Sequence, residues 1–380
     1  MTVGLGLCAG CLQLQETSDN GTETADDARG DEERTDEDPP EIPDELTVTE
    51  AWTHEGLQDV TTLEGSFVGV VGSADSNSIS TARVELFEDD GTVAWHSAEL
   101  AAEDRLTFDQ SGGIVGGDDT IIIAATAPGL ARLYAFDRES GTELWTHQTE
   151  DGRSDPAVGA LLAHDGTVYY GVADGGSNRD DTATVRALQA DSGDVLWENQ
   201  FAEWLFSGAT VYDDRLYVGG GWDLYTFDPE SGTRRDSVEF SIGHDGFARE
   251  NETLYFGLNP IQAYDLATES EQWERDAGRE HGDGMAVADG TLYRGTRSGW
   301  VIARDGSDGE TQWETRINGY VRDLQVADGI VWAQDDSNDV VAIGSDTGEI
   351  IYEHDETVSQ FAASGKRVML NDTMYERSTQ

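Results

Sequence analysis

Cysteine is almost absent: Cys8 and Cys11 are the only two in 380 residues. Their position excludes a disulfide framework, and a cysteine nucleophile or metal site, in the body of the protein. Lysine is rarer still, since Lys366 is the single lysine among 23 basic residues. Proline is scarce at seven, and Pro39, Pro40 and Pro43 fall in one short stretch. No run approaches 18 consecutive apolar residues, which excludes an internal transmembrane helix. Positive charge is so thin that 77 acids leave a formal net charge of -54. Such a surface repels nucleic acid phosphates, which excludes a nucleic-acid binder. What is present is 44 glycines, ten tryptophans and 37% hydrophobic residues, enough for a real core rather than global disorder.

The acidity is not confined to a tail. Residues 16–50 hold fifteen acids and two arginines, so residues 51–380 keep 62 acids against 21 bases, a net of -41. At ordinary ionic strength that self-repulsion strains a compact state. At molar salt the screening length falls to ~3 Å and the penalty largely disappears. An acid-rich, lysine-poor composition resembles that of haloarchaeal proteins adapted to a salt-saturated environment.

Residues 1–10 carry no charge and end in Ala9-Gly10 before Cys11, the pattern of a lipoprotein signal cleaved ahead of a lipidated cysteine. The segment is short for a secretory signal, lacks a basic start and has Cys8 where leucine is usual; a start codon further upstream accounts for the first two features. Residues 11–44 read as a disordered acidic tether, because like charge and few large apolar side chains prevent folding. This organisation predicts a cell-membrane protein, lipid-anchored at Cys11 on the extracellular face, with its folded domain over 45–380.

Within that domain one phrase recurs. It reads Leu133-Tyr-Ala-Phe-Asp137-Arg-Glu-Ser-Gly141-Thr-Glu-Leu-Trp145, and again from Val185 through Gly193 to Trp197, and from Leu224 through Gly232. Further copies end at Trp95, Trp273, Trp313 and Tyr352, with Asp236 at the tryptophan position after Gly232. These positions are spaced 37 to 52 residues apart. A second phrase precedes most copies, as in Asp165-Gly-Thr-Val-Tyr-Tyr-Gly171 and Asp289-Gly-Thr-Leu-Tyr-Arg-Gly295. Period-two alternation between Asp/Gly turns marks four short strands per unit. In the turn, Asp137 accepts hydrogen bonds from following amides and Gly141 takes a positive φ. Trp145 then packs on the neighbouring sheet. Units of about 40 residues with four strands stack into a β-propeller.

The chain ends set the blade count. Residues 365–378 supply early strands without a tryptophan strand, and residues 45–54 supply a tryptophan strand, Trp52, with nothing before it. The expected fold is therefore all-β: an eight-bladed propeller of four-stranded antiparallel blades, the last blade closed by the N-terminal strand. The phrases resemble the pyrroloquinoline-quinone (PQQ)-like repeat, which covers residues 45 to 380. That family includes quinoprotein alcohol dehydrogenases and the BamB-type lipoprotein of outer-membrane-protein assembly, and this chain looks closer to the second. Asp236 and Tyr352 replace tryptophan, Glu269 replaces the turn glycine, and Gln189 and Gly344 replace the turn aspartate. These departures are expected to weaken individual blades, not the ring.

The resemblance implies a calcium-bound quinone, and often an adjacent cysteine pair, only in the dehydrogenases; no Cys-Cys occurs here. No cofactor, metal or catalytic residue is therefore expected, and the histidines show no metalloprotease spacing. The loops entering the innermost strands should crowd the central channel. They offer Arg153, Asp155, Trp204, Phe206, His244, Asp245, Arg279, His281, Asp283, Arg322 and Asp323 as candidates to hold a polar ligand or peptide. The expected function is a non-enzymatic cell-surface scaffold or ligand-binding propeller whose partners are proteins or an extracellular polar ligand. A PQQ- and calcium-dependent dehydrogenase and a carbohydrate-binding protein are the alternatives.

Overall fold

The computed structural model describes residues 45–377 apart from 64, 76–77, 101–112, 118, 128, 150–155, 174–181, 204, 222, 240–246, 258, 277–281 and 283. Cys11 and the signal and tether segments lie outside the described residues. Among the described residues, 32 strands, numbered β1 to β32 in chain order, form eight four-stranded antiparallel sheets. Seven sheets are consecutive in sequence: blades 1 to 7, spanning residues 57–96, 114–149, 157–202, 206–239, 247–275, 285–316 and 321–353. Blade 8 is composite. Its β30 (Phe361–Ser364), β31 (Arg367–Leu370) and β32 (Thr373–Arg377) are completed by β1 (Val48–Thr53), with Val48 opposite Arg377 and Trp52 opposite Met374. The expected closure by the N-terminal strand is what the structure has.

Turn chemistry explains the hairpins. Asp165-Gly166, Asp289-Gly290 and Asp328-Gly329 have positive φ at both residues, the backbone of a tight two-residue turn whose twist matches the flanking strands. In the longer turn, Asp137 Oδ1 accepts from Ser140 N at 2.7 Å and Ser140 Oγ at 2.6 Å, and Gly141 takes φ +69°. Those hydrogen bonds to Ser140 hold the Asp137 carboxyl below its ordinary range.

The core lies between blades rather than within them. Eight buried clusters are found, one per seam: Val68, Val84 and Trp95 meet Ile121 and Ile123 between blades 1 and 2, and Phe67 and Phe87 meet Met369 and Met374 across the closure. A single sheet buries neither face alone, so stability is a property of the stack.

Six of the eight seams are pinned by a tryptophan and a glycine from different blades. The indole N–H of Trp95 donates to Arg138 O at 2.7 Å, Trp145 to Ala190 O at 2.6 Å, Trp197 to Pro229 O at 2.7 Å, Trp273 to Gly306 O at 2.8 Å and Trp313 to Ser345 O at 2.7 Å. Each ring covers the turn glycine of the next blade: a Cβ on Gly193, Gly309 or Gly348 would stand 2.7 Å from Trp145, Trp273 or Trp313. Gly141 is pressed the same way by Trp95, Gly232 by Trp197 and Gly91 by Trp52. The turn glycine is thus required twice over, by its positive φ and by the ring on top of it.

This pairing corrects the expectation that the departures weaken separate blades. Asp236 on β17 (Arg234–Glu239) and Glu269 are the two halves of one missing staple, between blades 4 and 5. Glu269 keeps a positive φ of 52°, and with no indole at position 236 its Cβ is tolerated. A polar joint stands in its place. Arg215 ion-pairs with Glu269, Tyr212 Oη donates to Glu252 Oε1 at 2.9 Å, and Arg249 Nη1 donates to Val211 O at 2.9 Å. Tyr352 has a different reason. β32 and β1 come from opposite ends of the chain, so blade 8 has no outer hairpin to receive an indole, and the Tyr352 hydroxyl instead meets His354 Nδ1 at 2.9 Å.

The two halves should therefore be coupled. Asp236→Trp alone is expected to destabilise, because its ring meets the Glu269 side chain. Asp236→Trp with Glu269→Gly should recover that loss, with a coupling of about 1–2 kcal/mol in a double-mutant cycle read by urea denaturation in molar salt. Additive effects would show that 236 and 269 are independent.

Candidate binding site at the channel mouth

The first strands of neighbouring blades touch one another, so they line the ring axis. All run in the same sense, and every connection from an outermost strand to the next innermost strand opens at one mouth. Arg153, Asp155, Trp204, His244, Asp245, Arg279, His281 and Asp283 lie outside the described residues. Phe206 is buried at 3% exposure, with its ring beside Gly171 and its backbone carbonyl beside Gly159, so it is core between blades 3 and 4 rather than a channel aromatic.

Arg322 and Asp323 sit on β26 (Val321–Ala327), at a β-bulge between Val321 and Asp323, and not in the preceding loop. The extra residue turns Arg322 outward to solvent and Asp323 inward. The same device occurs on β2 (Leu57–Leu63), where a bulge between Leu57 and Asp59 carries Gln58 and a buried Asp59 whose Oδ1 accepts Val60 N at 2.9 Å. These strands belong to blades 7 and 1, which flank the composite blade 8.

Glutamines tie this arc together. Gln325 Oε1 accepts Ala363 N at 2.9 Å and its Nε2 donates to Phe361 O at 3.1 Å, joining β26 to β30. Gln360 Nε2 donates to Leu57 O at 2.8 Å, joining blade 8 to blade 1. The result is a polar arc of Arg322, Asp323, Gln325, Gln360, Gln58 and Asp59 along the axis. Its described members are hydrogen-bond donors and acceptors of the kind that orient a polar ligand.

Asp323 is the electrically unusual member. Its Oδ1 is sealed from water without a hydrogen-bond partner, and Oδ2 lies 3.4 Å from Gln325 Nε2. Burial outweighs the Gln325 and Leu324 hydrogen bonds and pushes its pKa up to about 7. Between the unfolded value of 3.8 and about 7 the folded protein keeps a proton that the unfolded chain has released. Stability from this group is therefore full below pH 3.8 and is lost as pH rises through 7. Asp323→Asn should match the wild type near pH 4 and exceed it above pH 7 by about 1–3 kcal/mol. Equal pH–stability curves would show that Asp323 is not buried as an acid.

Buried charged groups escaped the sequence reading, Arg294 and Glu85 among them. Arg294 on β23 (Thr291–Gly295) is 1% exposed and pairs in register with Met285 at the mouth end of its blade. A signal existed: in Tyr-x-Gly the middle residue is Tyr170, Val218 or Phe256 in other repeats and Arg294 here. Glu85, fully buried, lies 2.8 Å from His54 Nε2 and ion-pairs with Arg83 Nε. Among the described residues no three His, Cys, Asp or Glu side chains converge to hold a metal ion.

Comparison with known proteins agrees with this architecture. The profile of the family described as outer membrane protein assembly factor BamB matches residues 80–246 and 259–377. The crystal structure of BamB from Moraxella catarrhalis is similar at 17% identity and a TM-score of 0.63, over 88% of this chain and 99% of that one. A europium-containing methanol dehydrogenase is similar at 11% identity and 0.60, over 82% of each chain. Quinohemoprotein alcohol dehydrogenase from Comamonas testosteroni is similar at 11% identity and 0.62, over 87% of this chain and 76% of that one. No curated protein sequence matches.

Proposed function

Because the chain belongs to the family of the outer membrane protein assembly factor BamB, we propose that it is a non-enzymatic scaffold that binds other proteins. The observation that carries this reading is the family match over residues 80–246 and 259–377, which reaches all eight blades, on a ring whose described axial residues include polar groups. The extent of the similarity supports it: the BamB structure is covered to 99% of its length, the two dehydrogenases to 82% and 76%. The missing Cys-Cys pair favours a protein that works without a quinone.

The reading includes attachment by lipid at Cys11 to the outer face of a cell membrane, with the acidic segment 11–44 holding the ring off the surface. No described helix is long and apolar enough to cross a membrane. It also includes a salt-rich setting, on the strength of the net charge of -54. Affinity recovery from membranes in molar salt should yield a discrete partner with the wild type, and less with Arg322→Ala. Dye reduction on adding PQQ and calcium would overturn the reading in favour of a dehydrogenase.

A further inference from the structure

The outermost strand of every blade leaves one row of backbone N–H and C=O groups unpaired, a template for another strand. Most of these edges are short or guarded by charge. β5 (Val93–His96) and β29 (Ile350–Glu353) have four residues each. β17 carries four charged residues in six, β21 (Ser270–Arg275) three in six and β25 (Thr311–Arg316) two in six, while β1 carries Glu50 mid-strand. β9 (Glu143–Thr149) and β13 (Val195–Ala202) are the longest, at seven and eight residues, with one acid each. In β13 that acid, Glu198, is already paired with Arg186 at 2.6 Å.

Three of the four exposed large aliphatic side chains among the described residues fall on these two edges. Among the described residues the exposed large hydrophobics are Leu144 (43%), Val195 (50%), Leu196 (48%) and Ile350 (36%). Leu144 and Leu196 occupy the bulge just before the staple tryptophan, where blades 5 and 6 place exposed Gln272 and Gln312. Trp145, the residue after Leu144, docks on Gly193, two residues before Val195. Exposed Glu143, Asp191 and Asp194 flank the three aliphatics.

We propose that β13 of blade 3 takes up one extended segment of a partner protein as a fifth strand, through Val195, Leu196 and Leu144, and that this segment carries arginine or lysine beside aliphatic residues. Main-chain pairing supplies the affinity, and the apolar patch with its acidic rim selects side chains. Glu143, Asp191 and Asp194 on the rim argue for a basic partner segment, whose contact pairs form within the ~3 Å that molar salt leaves unscreened. The proposal rests on the protein-binding reading and names its surface.

The probe is the acetylated, amidated octapeptide Arg-Val-Thr-Val-Arg-Val-Thr-Val, titrated against the whole protein in molar salt. Saturable binding is expected, with new hydrogen-exchange protection in the Val195–Ala202 amides. Leu196→Glu should weaken it at least tenfold, and Thr311→Glu, on the matching strand of blade 6, should leave it unchanged. A peptide N-methylated at alternate residues along one edge should not bind, which separates strand pairing from greasy adhesion. No saturable binding at millimolar peptide, equal binding to Leu196→Glu, or protection on another blade overturns the proposal. So does dimerisation of the free protein through this edge in sedimentation. If Leu196→Glu still recovers its partner from membranes, this surface is wrong while the protein-binding function stands.

Discussion

Gly193→Ala is expected to be among the most damaging single substitutions in the protein, at about 3 kcal/mol. The added methyl would stand 2.7 Å from the Trp145 ring, which is itself held by its bond to Ala190 O at 2.6 Å, so neither partner moves cheaply. Residue 193 also has φ +72°, a region that costs any L side chain about 1 kcal/mol or more. The comparison that isolates the ring is Glu269→Ala. Position 269 has the same backbone hand, at φ +52°, but no indole above it, and its partly exposed pair with Arg215 is worth at most about 1 kcal/mol. Urea midpoints in molar salt should therefore fall far more for Gly193→Ala. Equal shifts would mean that the turn needs glycine for φ alone and that the staple contributes little.

Removing residues 45–53 should have the largest effect of all, on the order of the whole stability of a domain, ~5 kcal/mol or more. Deletion of β1 strips β32 of its five register partners, takes Trp52 off Gly91, and unroofs the cluster around Phe87, Met369 and Met374. It also converts a closed ring into an open stack with two exposed faces. The truncated protein should lose its cooperative transition and associate, as judged by circular dichroism and sedimentation, and a synthetic peptide of residues 45–54 should restore both. A truncated chain with the wild-type midpoint would show that closure by β1 is dispensable.

How much was readable before folding follows from how local each feature is. Asp137, Gly141 and Trp145 lie within nine consecutive residues, and their turn is closed by bonds between near neighbours, so the phrase announces itself in every copy. Trp52 without preceding strands and Met369 without a following tryptophan strand announced the shared blade for the same reason. What went unread was pairing between copies. Asp236 and Glu269 looked like two independent losses because a repeat aligned to itself compares equivalent positions, whereas the staple joins the tryptophan of one blade to the glycine of the next.

For the channel mouth the structure describes Phe206, Arg322 and Asp323 of the residues singled out, and places none of them in a loop. Loops before innermost strands must converge, and topology alone says so. Whether a given side chain faces the axis depends on a one-residue bulge, and Arg322 and Asp323 diverge because of it. Phe206 shows the same limit from the other side, since being next to a mouth loop did not keep it out of the core.

By itself the sequence determined the strand period, the turns, the blade count and the acidic surface, because each is written in residues a few places apart or in bulk composition. Only the tertiary structure decided which tryptophan meets which glycine, where a polar joint replaces that contact, and that Gln360 reaches Leu57 across 303 residues of chain. Contacts of that separation exist only once the ring closes, so no local pattern in the chain records them.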